Sequence, residues 1–420
     1  MIERYLEKKD TGIIWLGKIP DTWQVVRLRF LCDITTGDKD TNDRKDDGIF
    51  PFYVRSQTVE RISSFSFDGE AILTAGDGAG VCKVWHYTNG KFDYHQRVYM
   101  LSNFRSVTGA FLFYFLKENF IHEVLKLSAK STVESLRRPM FLDFPVALPA
   151  IEEQVKIIEY LDYQTRLIDL LIEKKEKLLQ LLKEHRQAVI NEAVTKGLNP
   201  EVGMKDSGIV WLGEIPESWR LSKLNYLFEI KKNIAGELGY DVLSVTQKGL
   251  KVRDLDNLKG QLSMDYSKYQ IVDEGDFVMN HMDLLTGYVD ISKQEGVTSP
   301  DYRVFKLTKA DCLPEYYLYL FQMGYKMKIL FSYGRGVSQL GRWRLPATEF
   351  KNIFFPVPPL DEQKAIVEYL NNITNNIDQL LEKVTLAVNK LKEYRQSIIS
   401  EAVTGKVDVR DWQPTTKVAL

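Results

Sequence analysis

Residues 152–195 recur as residues 361–404 at a constant offset and without a gap, and this duplication limits the possible folds more than any other feature of the chain. Gln154, Glu159, Tyr160, Leu161, Asp169, Leu171, Glu173, Arg186, Gln187, Glu192, Ala193, Val194 and Thr195 return as Gln363, Glu368, Tyr369, Leu370, Asp378, Leu380, Glu382, Arg395, Gln396, Glu401, Ala402, Val403 and Thr404. Taken at alternating steps of four and three, the second copy reads Ile366, Leu370, Ile373, Ile377, Leu380, Val384, Ala387, Leu391, Tyr394 and Ile398, all apolar or aromatic. The first copy reads Ile157, Leu161, Gln164, Ile168, Leu171, Lys175, Leu178, Leu182, His185 and Val189, with polar residues at Gln164, Lys175 and His185. A mean step of about 3.5 residues in a run free of Pro and Gly predicts two long helices, each roughly 60 Å at 1.5 Å per residue, paired as a coiled coil. Pro149 and Pro359 stop the preceding segments, and Glu152-Glu153 and Asp361-Glu362 then suit the positive end of a helix dipole. Gly197 and Gly405 provide the exits.

A second repeat precedes each helix by one domain length. KDTGIIWLGKIPDTWQVVRLRFL from Lys9 to Leu31 returns as KDSGIVWLGEIPESWRLSKLNYL from Lys205 to Leu227. Gly12, Gly17 and Lys18 have phosphate-loop spacing, but Ile19 stands where Ser or Thr would hold magnesium, and Glu214 replaces the lysine in the second copy. The segment reads instead as a docking turn in which Trp15 and Trp23 pack a globular domain onto the helices. Each docking turn leads into a stretch of mixed character with short β-like runs and an aromatic helix near Phe111 or Tyr316. The two stretches are diverged relatives: Gln57 resembles Gln247 in position, and Arg97-Val98 before Leu101 resembles Arg303-Val304 before Leu307. Near-identical frames with different inserts suit a protein that reads two targets.

Chain connectivity sets the helix direction. Only Lys196 to Met204 separates the first helix from the second docking turn, so the second domain sits near that end and the second helix must run back, antiparallel. The chain is expected to divide into a first globular domain at 1–150, a first long helix at 151–197, a second domain at 198–358, a second long helix at 359–404 and a tail at 405–420. The fold class expected is α+β, two α/β domains joined by two long antiparallel helices with pseudo-two-fold symmetry.

Lys and Arg total 56 against 57 for Asp and Glu, so contact with nucleic acid would have to come from local patches. Cys32, Cys82 and Cys312 lie far apart without metal-ligand spacing, which fits a reduced, cytoplasmic protein. Apolar runs such as Ala110 to Leu116 and Tyr316 to Phe321 are too short to cross a bilayer. An adenine methyltransferase would need an acidic or amide residue before Pro-Pro and an aromatic after it, and Val357-Pro358-Pro359-Leu360 fails on both flanks. No nucleophile pair or zinc spacing assigns a reaction, and no cofactor is expected.

The G-I-x-W-L-G-x-I-P-x-x-W turn, the P-x-x-x-E-Q helix opening and the R-Q-x-x-I-x-E-A-V-T exit each occur twice, and with them the whole chain resembles the specificity subunit of type I restriction-modification enzymes. The resemblance implies a non-catalytic subunit whose two target recognition domains each bind half of a bipartite sequence in double-stranded DNA. It also implies two adenine-N6 methyltransferase subunits and, beyond them, motor-nuclease subunits as partners. A coiled-coil spacer with two protein-binding domains is the alternative.

Three groups of residues are candidates for touching DNA. Arg55, Ser56 and Gln57, with Thr246, Gln247 and Lys248 in the other half, stand where a strand opens into a loop. Arg pairs with guanine, Gln with adenine, and Ser or Thr with either. Gly76, Asp77 and Gly78 form a loop that permits close approach to phosphates, matched roughly by Asn280 and His281. The basic loops carry Lys130, Ser131, Arg137 and Arg138 in the first half and Arg335, Ser338, Gln339, Arg342 and Arg344 in the second, for phosphate neutralisation.

Overall fold

A computed structural model of the protein describes residues 4–78, 81–128, 135–253, 266–336 and 343–414. Contacts group the chain into two compact units, one running to Glu176 and resuming at Thr385, the other from Lys177 to Val384. The division falls inside both long helices, Ile151–Lys196 and Leu360–Val403, so each unit holds one globular part and one end of each helix.

In the first unit the two helix ends run antiparallel. Ile157, Tyr160, Leu161 and Ile168 share a core with Ile398, Ile399, Ala402 and Val403, and Arg395 donates two hydrogen bonds to the Asp169 carboxylate at 2.8 and 3.1 Å. Lys392 pairs with Glu176 at 2.9 Å. The second unit repeats the arrangement with the copies exchanged. Ile190, Ala193 and Val194 pack with Ile366, Val367 and Leu370, and Arg186 grips Asp378 at 2.9 and 3.1 Å. These Arg–Asp pairs are bidentate but half in water, so double-mutant cycles in denaturant unfolding are expected to give a coupling below about 1 kcal/mol, equal for the two pairs. A cycle several times larger, or present in only one copy, would contradict that.

The seam itself departs from the alternating pattern. Leu171, Leu178, Leu380 and Tyr394 are 47%, 42%, 47% and 56% exposed, and His185 is exposed, whereas their successors Ile172, Leu179, Leu381, Arg395 and Arg186 are half-buried. From Ile157 the buried side runs through Leu161, Thr165, Ile168, Ile172, Lys175, Leu179, Leu182 and Arg186 to Ile190, with a mean step of about 3.7 residues. That is close to the 3.6 of an unstrained helix, so the inward stripe drifts away from a strict 3.5 repeat after one or two turns. Arginines occupy two inward positions because their apolar stems lie in the seam while the guanidinium reaches the partner helix's aspartate.

Each helix entry is tied down by a buried glutamine. Gln154, fully buried, accepts from the Thr108 amide (2.8 Å) and donates to the Ser106 and Pro149 carbonyls (3.2 and 3.0 Å). Gln363, also fully buried, accepts from the Leu313 amide (2.7 Å) and donates to the carbonyls of Asp311 and Pro358 (3.1 and 2.9 Å). The glutamine in each P-x-x-x-E-Q opening therefore fastens the globular helix that follows Thr108 or Leu313 to the long helix. Tyr114 and Tyr319 add equivalent ties, donating to Asp162 (2.7 Å) and Asn371 (2.9 Å).

The docking segments fold as hairpins, Lys8–Asp10 with Lys18–Pro20 and Met204–Asp206 with Glu214–Pro216. Gly12 and Gly17, the two glycines with phosphate-loop spacing, sit at φ +69° and +64° in the first hairpin turn. Trp23 and Trp219 are buried, and their indole N–H groups donate to Glu153 (3.0 Å) and Glu362 (2.9 Å) at the helix entries. The acidic residues beside the helix dipole thus also receive the docking tryptophans. Trp15 packs elsewhere than expected: it stacks on Phe144 and His122 and stays within the globular part. A loop side chain reaches the nearest apolar surface, which for Trp15 is the aromatic cluster of its own domain.

The first globular part is a six-stranded sheet in the order Asp33–Thr36, Val98–Ser102, Phe67–Ala75, Trp85–Tyr94, Phe50–Tyr53, Glu60–Ile62. It is antiparallel except where Phe50–Tyr53 runs parallel to Trp85–Tyr94. The helix Gly109–Asn119 covers one side, with Phe111, Phe115, Phe120, Phe141 and Phe144 buried between. The second part uses two four-stranded sheets, Phe228–Lys231, Arg303–Leu307, Phe277–Met279, Val289–Ile291 and Gly249–Val252, Val242–Thr246, Gly296–Thr298, Gln270–Val272, under the helix Pro314–Lys326. Among the described residues no helix is long and apolar enough to cross a membrane, and no three His, Cys, Asp or Glu side chains are grouped to hold a metal ion. All three cysteines are free.

Candidate nucleic-acid interface

In the first unit the strand Phe50–Tyr53 ends just before Arg55, and Phe67–Ala75 ends just before Gly76. The loop after the second of these is held on both sides: the Gly76 amide donates to the Arg97 carbonyl (2.8 Å), and the Leu136 amide donates to the Gly76 carbonyl (2.6 Å). A side chain at Gly76 would put its Cβ 2.8 Å from the Arg97 carbonyl oxygen, so only glycine lets these backbones meet. The packing aims Asp77 at two arginines. Arg55 donates to one carboxylate oxygen at 2.9 Å and Arg97 to the other at 2.7 Å. Burial alone would raise the Asp77 pKa, but the two guanidinium hydrogen bonds outweigh it and hold the carboxyl below the usual range. This ion-pair clamp is intact at neutral pH and is released only as pH falls through that depressed value. The result is two guanidinium groups fixed side by side on an exposed rim, beside a hollow of about 250 Å³ lined by Thr36, Gln96, Tyr99 and Ser135.

Ser56 and Gln57 continue the rim. Both are exposed; the Ser56 carbonyl accepts from His86 Nε2 (3.0 Å), and the Gln57 amide reaches the Trp85 carbonyl at 3.4 Å, which leaves most of its capacity unused. Burial lowers the His86 pKa, so a neutral imidazole donates that bond. Arg137 and Arg138 are exposed directly after Leu136, on the same rim. Gly78, at φ +71°, makes the turn after Asp77.

The second unit carries a different set on the same frame. Thr246, Gln247 and Lys248 form the tip of the hairpin between Val242–Thr246 and Gly249–Val252; Thr246 Oγ1 donates to the Gly249 carbonyl (2.8 Å), and the Gln247 amide donates to the Thr286 carbonyl (3.3 Å). Gln247 and Lys248 are exposed. Asn280 and His281 follow Phe277–Met279, and the His281 carbonyl accepts from the Leu345 amide (2.9 Å), as the Gly76 carbonyl does from Leu136. Arg303, the counterpart of Arg97, points inward: it is 6% exposed, donates to the Leu345 carbonyl at 2.9 Å and lies over the Phe350 ring at 4.9 Å. Burial pushes its pKa down to about 10 and that of His281 to about 3, with nearby Arg344 adding to both. His281 is thus neutral at physiological pH, and its Nδ1 and Arg303 Nη1 have no hydrogen-bond partner among the described residues. Arg335 and Arg344 exchange backbone hydrogen bonds (2.8 and 3.1 Å) at the mouth of their loop, and Arg335 also pairs with Glu349.

The structure therefore brings Arg55, Asp77, Arg137 and Arg138 onto one rim of the first unit, and His281 and Arg344 together beside Leu345 in the second. Lys130, Ser131, Ser338, Gln339 and Arg342 lie outside the described residues. Arg97 and Arg303 were absent from the candidates expected from sequence. The available signal was their matched place at the head of a shared strand, where a long cationic side chain leaves the sheet toward the loops.

The family model described as type I restriction modification DNA specificity domain matches twice, at residues 20–180 and 216–390. The type I restriction enzyme EcoDI specificity subunit of Escherichia coli is 26% identical over 414 residues, covering 93% of this chain and 90% of that protein. The MjaVIII specificity subunit of Methanocaldococcus jannaschii is 25% identical over 428 residues, covering 94% and 95%. Among solved structures, a chain from work on complex assembly and conformational transition of the type I R-M system aligns with a TM-score of 0.68 at 15% identity, over 92% of this chain and 98% of that one. The HsdS subunit from Thermoanaerobacter tengcongensis aligns at 0.54 and 16% identity, over 94% and 99%.

Proposed function

The chain belongs to the type I restriction modification DNA specificity family, and we propose that each of its two units reads one half of a bipartite double-stranded DNA site for a methyltransferase and endonuclease assembly. One observation carries this reading. The two units share a frame down to equivalent hydrogen bonds at Leu136 and Leu345, yet present different chemistry there: paired exposed arginines on Asp77 in one, a buried Arg303 with a neutral His281 in the other. Conserving the frame while changing the polar groups is what reading two different sequences requires. Arg55, Arg97 and Gln57 would address base edges in the first half-site, and Gln247 with Lys248 in the second. Arg137, Arg138, Arg335 and Arg344 would bind phosphates.

The duplicated helices and docking turns offer two equivalent surfaces, which suits two methyltransferase subunits. The chain itself carries no reaction in this proposal, and it acts in the cytoplasm where its DNA is. Binding to cognate DNA in the presence of the methyltransferase subunits should weaken steeply with salt, because each neutralised phosphate releases condensed counterions. Salt-independent binding, or none, would favour the spacer alternative. Methyl transfer from S-adenosylmethionine by the purified chain alone would overturn the non-catalytic assignment. Hydrogen exchange in the assembled complex should protect the long helices and docking turns; protection confined to the loops would contradict the docking scheme.

A further inference from the structure

The internal repeat lets one unit be used as a control for the other, and one pair of equivalent places differs. In the first unit Tyr160 is 2% exposed because the chain's own tail lies on it: Trp412 packs edge-on at 5.3 Å between ring centres and also meets Tyr163 at 5.4 Å. The tail is well anchored there. Val409 is fully buried, Arg410 pairs with Asp408, and the Arg410 guanidinium lies 5.2 Å over the Tyr5 ring. In the second unit the equivalent tyrosine, Tyr369, is 42% exposed and lines a cavity of about 620 Å³. Part of that cavity's wall is the repeat counterpart of the filled seat, although Asn372 stands where the filled seat has Tyr163. Val189, Glu192 and Ala193 line it, and their repeat partners are Ile398, Glu401 and Ala402; Lys196, beyond the end of the repeat, lines it as well. The segment leaving the first helix, Gly197 to Pro200, lines the cavity too but carries no aromatic side chain to fill it.

We infer that this cavity is a vacant counterpart of the Trp412 seat and takes an aromatic side chain borne on a basic segment of a protein partner, the methyltransferase subunit. The chemistry of the occupant follows from two comparisons. The filled seat shows that this pairing of helix exit and tyrosine holds an indole, and 620 Å³ leaves ample room for one with its neighbouring backbone. The charge differs between the seats: Glu192, Lys196 and Glu214 line the open one, whereas the repeat positions of Glu192 and Glu214 in the filled one hold Glu401 and Lys18. The open seat is the more acidic, so it selects a Lys- or Arg-bearing segment over a second copy of this chain's tail, in which Asp408 and Asp411 are balanced by Lys406 and Arg410. The identity of the partner rests on the proposed docking of methyltransferase subunits on the duplicated surfaces. A consequence is that the two docking surfaces are unequal, one closed by the tail and one open.

The probe is a ten-residue peptide of the tail sequence 405–414 with Asp408→Lys and Asp411→Lys, titrated into the full-length chain and followed by calorimetry. Saturable binding of one peptide per chain is expected. It should weaken at least tenfold with Tyr369→Ala in the chain or with alanine replacing the peptide's tryptophan, and the unaltered tail peptide, whose side-chain charges cancel, should bind more weakly. Tyr369 is nearly half exposed, so its alanine variant is expected to fold; Glu192→Lys, at an exposed position, should independently reduce affinity for the basic peptide. Absence of binding, equal binding by the Tyr369→Ala chain, or preference for the unaltered peptide would each overturn the inference. Self-association of the full chain that is lost with Tyr369→Ala would assign the seat to a second copy and equally overturn it. Methyltransferase assembly and site-specific methylation are measured separately on the same variants: normal methylation with no peptide binding removes the seat alone, and peptide binding without methylation removes the broader functional reading alone.

Discussion

Replacing Asp77 with alanine is expected to degrade recognition of one half-site and to leave the other unchanged. Asp77 holds Arg55 at 2.9 Å and Arg97 at 2.7 Å, one on each carboxylate oxygen. With both guanidinium planes fixed, each can meet the O6 and N7 atoms of a guanine, or a phosphate, without first losing the freedom of a long side chain. A correctly placed bidentate contact of this kind is worth about 1–3 kcal/mol of discrimination, so Arg55→Ala or Arg97→Ala should weaken cognate binding roughly 10- to 100-fold. Asp77→Ala keeps both cations and should instead relax the sequence preference while largely preserving overall affinity. Sequencing of methylated DNA from cells carrying each variant reads the outcome directly. Blurring of both half-sites, or an unaltered motif in the Asp77 and Arg55 variants alike, would show that this rim does not read bases.

The second large effect concerns stability. Trp23 and Trp219 are 0% and 1% exposed, and each donates to a carboxylate at the entry of a long helix. Trp23 also packs edge-on against Tyr5 and Phe111, and a Cβ on Gly405 would lie 3.4 Å from its ring, so the helix exit closes the same pocket. Replacement by alanine removes the largest side chain in that contact and leaves a cavity, with an expected loss of about 3–5 kcal/mol for either tryptophan. For units of this size that lowers the unfolding temperature by roughly 10 °C. Phenylalanine keeps most of the volume and sacrifices the hydrogen bond to Glu153 or Glu362, so about 1–2 kcal/mol is expected. Because the tryptophans lie in separate compact units, their effects should add. A loss below about 1 kcal/mol from Trp23→Ala would mean the indole is not the docking element; Trp15→Ala is expected to act on the globular core alone.

Residues whose role depends on local pattern were legible: the helix entries at Pro149 and Pro359, the exits at Gly197 and Gly405 with φ +79° and +67°, and the duplication of the Arg186 and Arg395 exits. Residues whose role depends on which loops meet were not. Arg97 immediately precedes the strand Val98–Ser102 and Arg303 begins the strand Arg303–Leu307, yet one is drawn outward by Asp77 and the other is turned inward, where Asn280 and His281 stand in place of an acidic loop residue.

By itself the sequence determined that this chain is two copies of one plan, that each copy ends in a long amphipathic helix, and which family carries those motifs. Periodicity and repetition are one-dimensional properties, and a helix's hydrogen bonds are made within a few residues of chain, so both survive in the bare order of amino acids. Only the tertiary structure decided which face of the helices is buried, how Trp15 and Trp23 divide their contacts, that Asp77 clamps two arginines, and that Trp412 covers Tyr160 while Tyr369 stands open. Those outcomes depend on contacts between residues far apart in the chain, and a shift of a single position in a heptad, as at Leu171 and Leu380, exchanges a buried side chain for an exposed one.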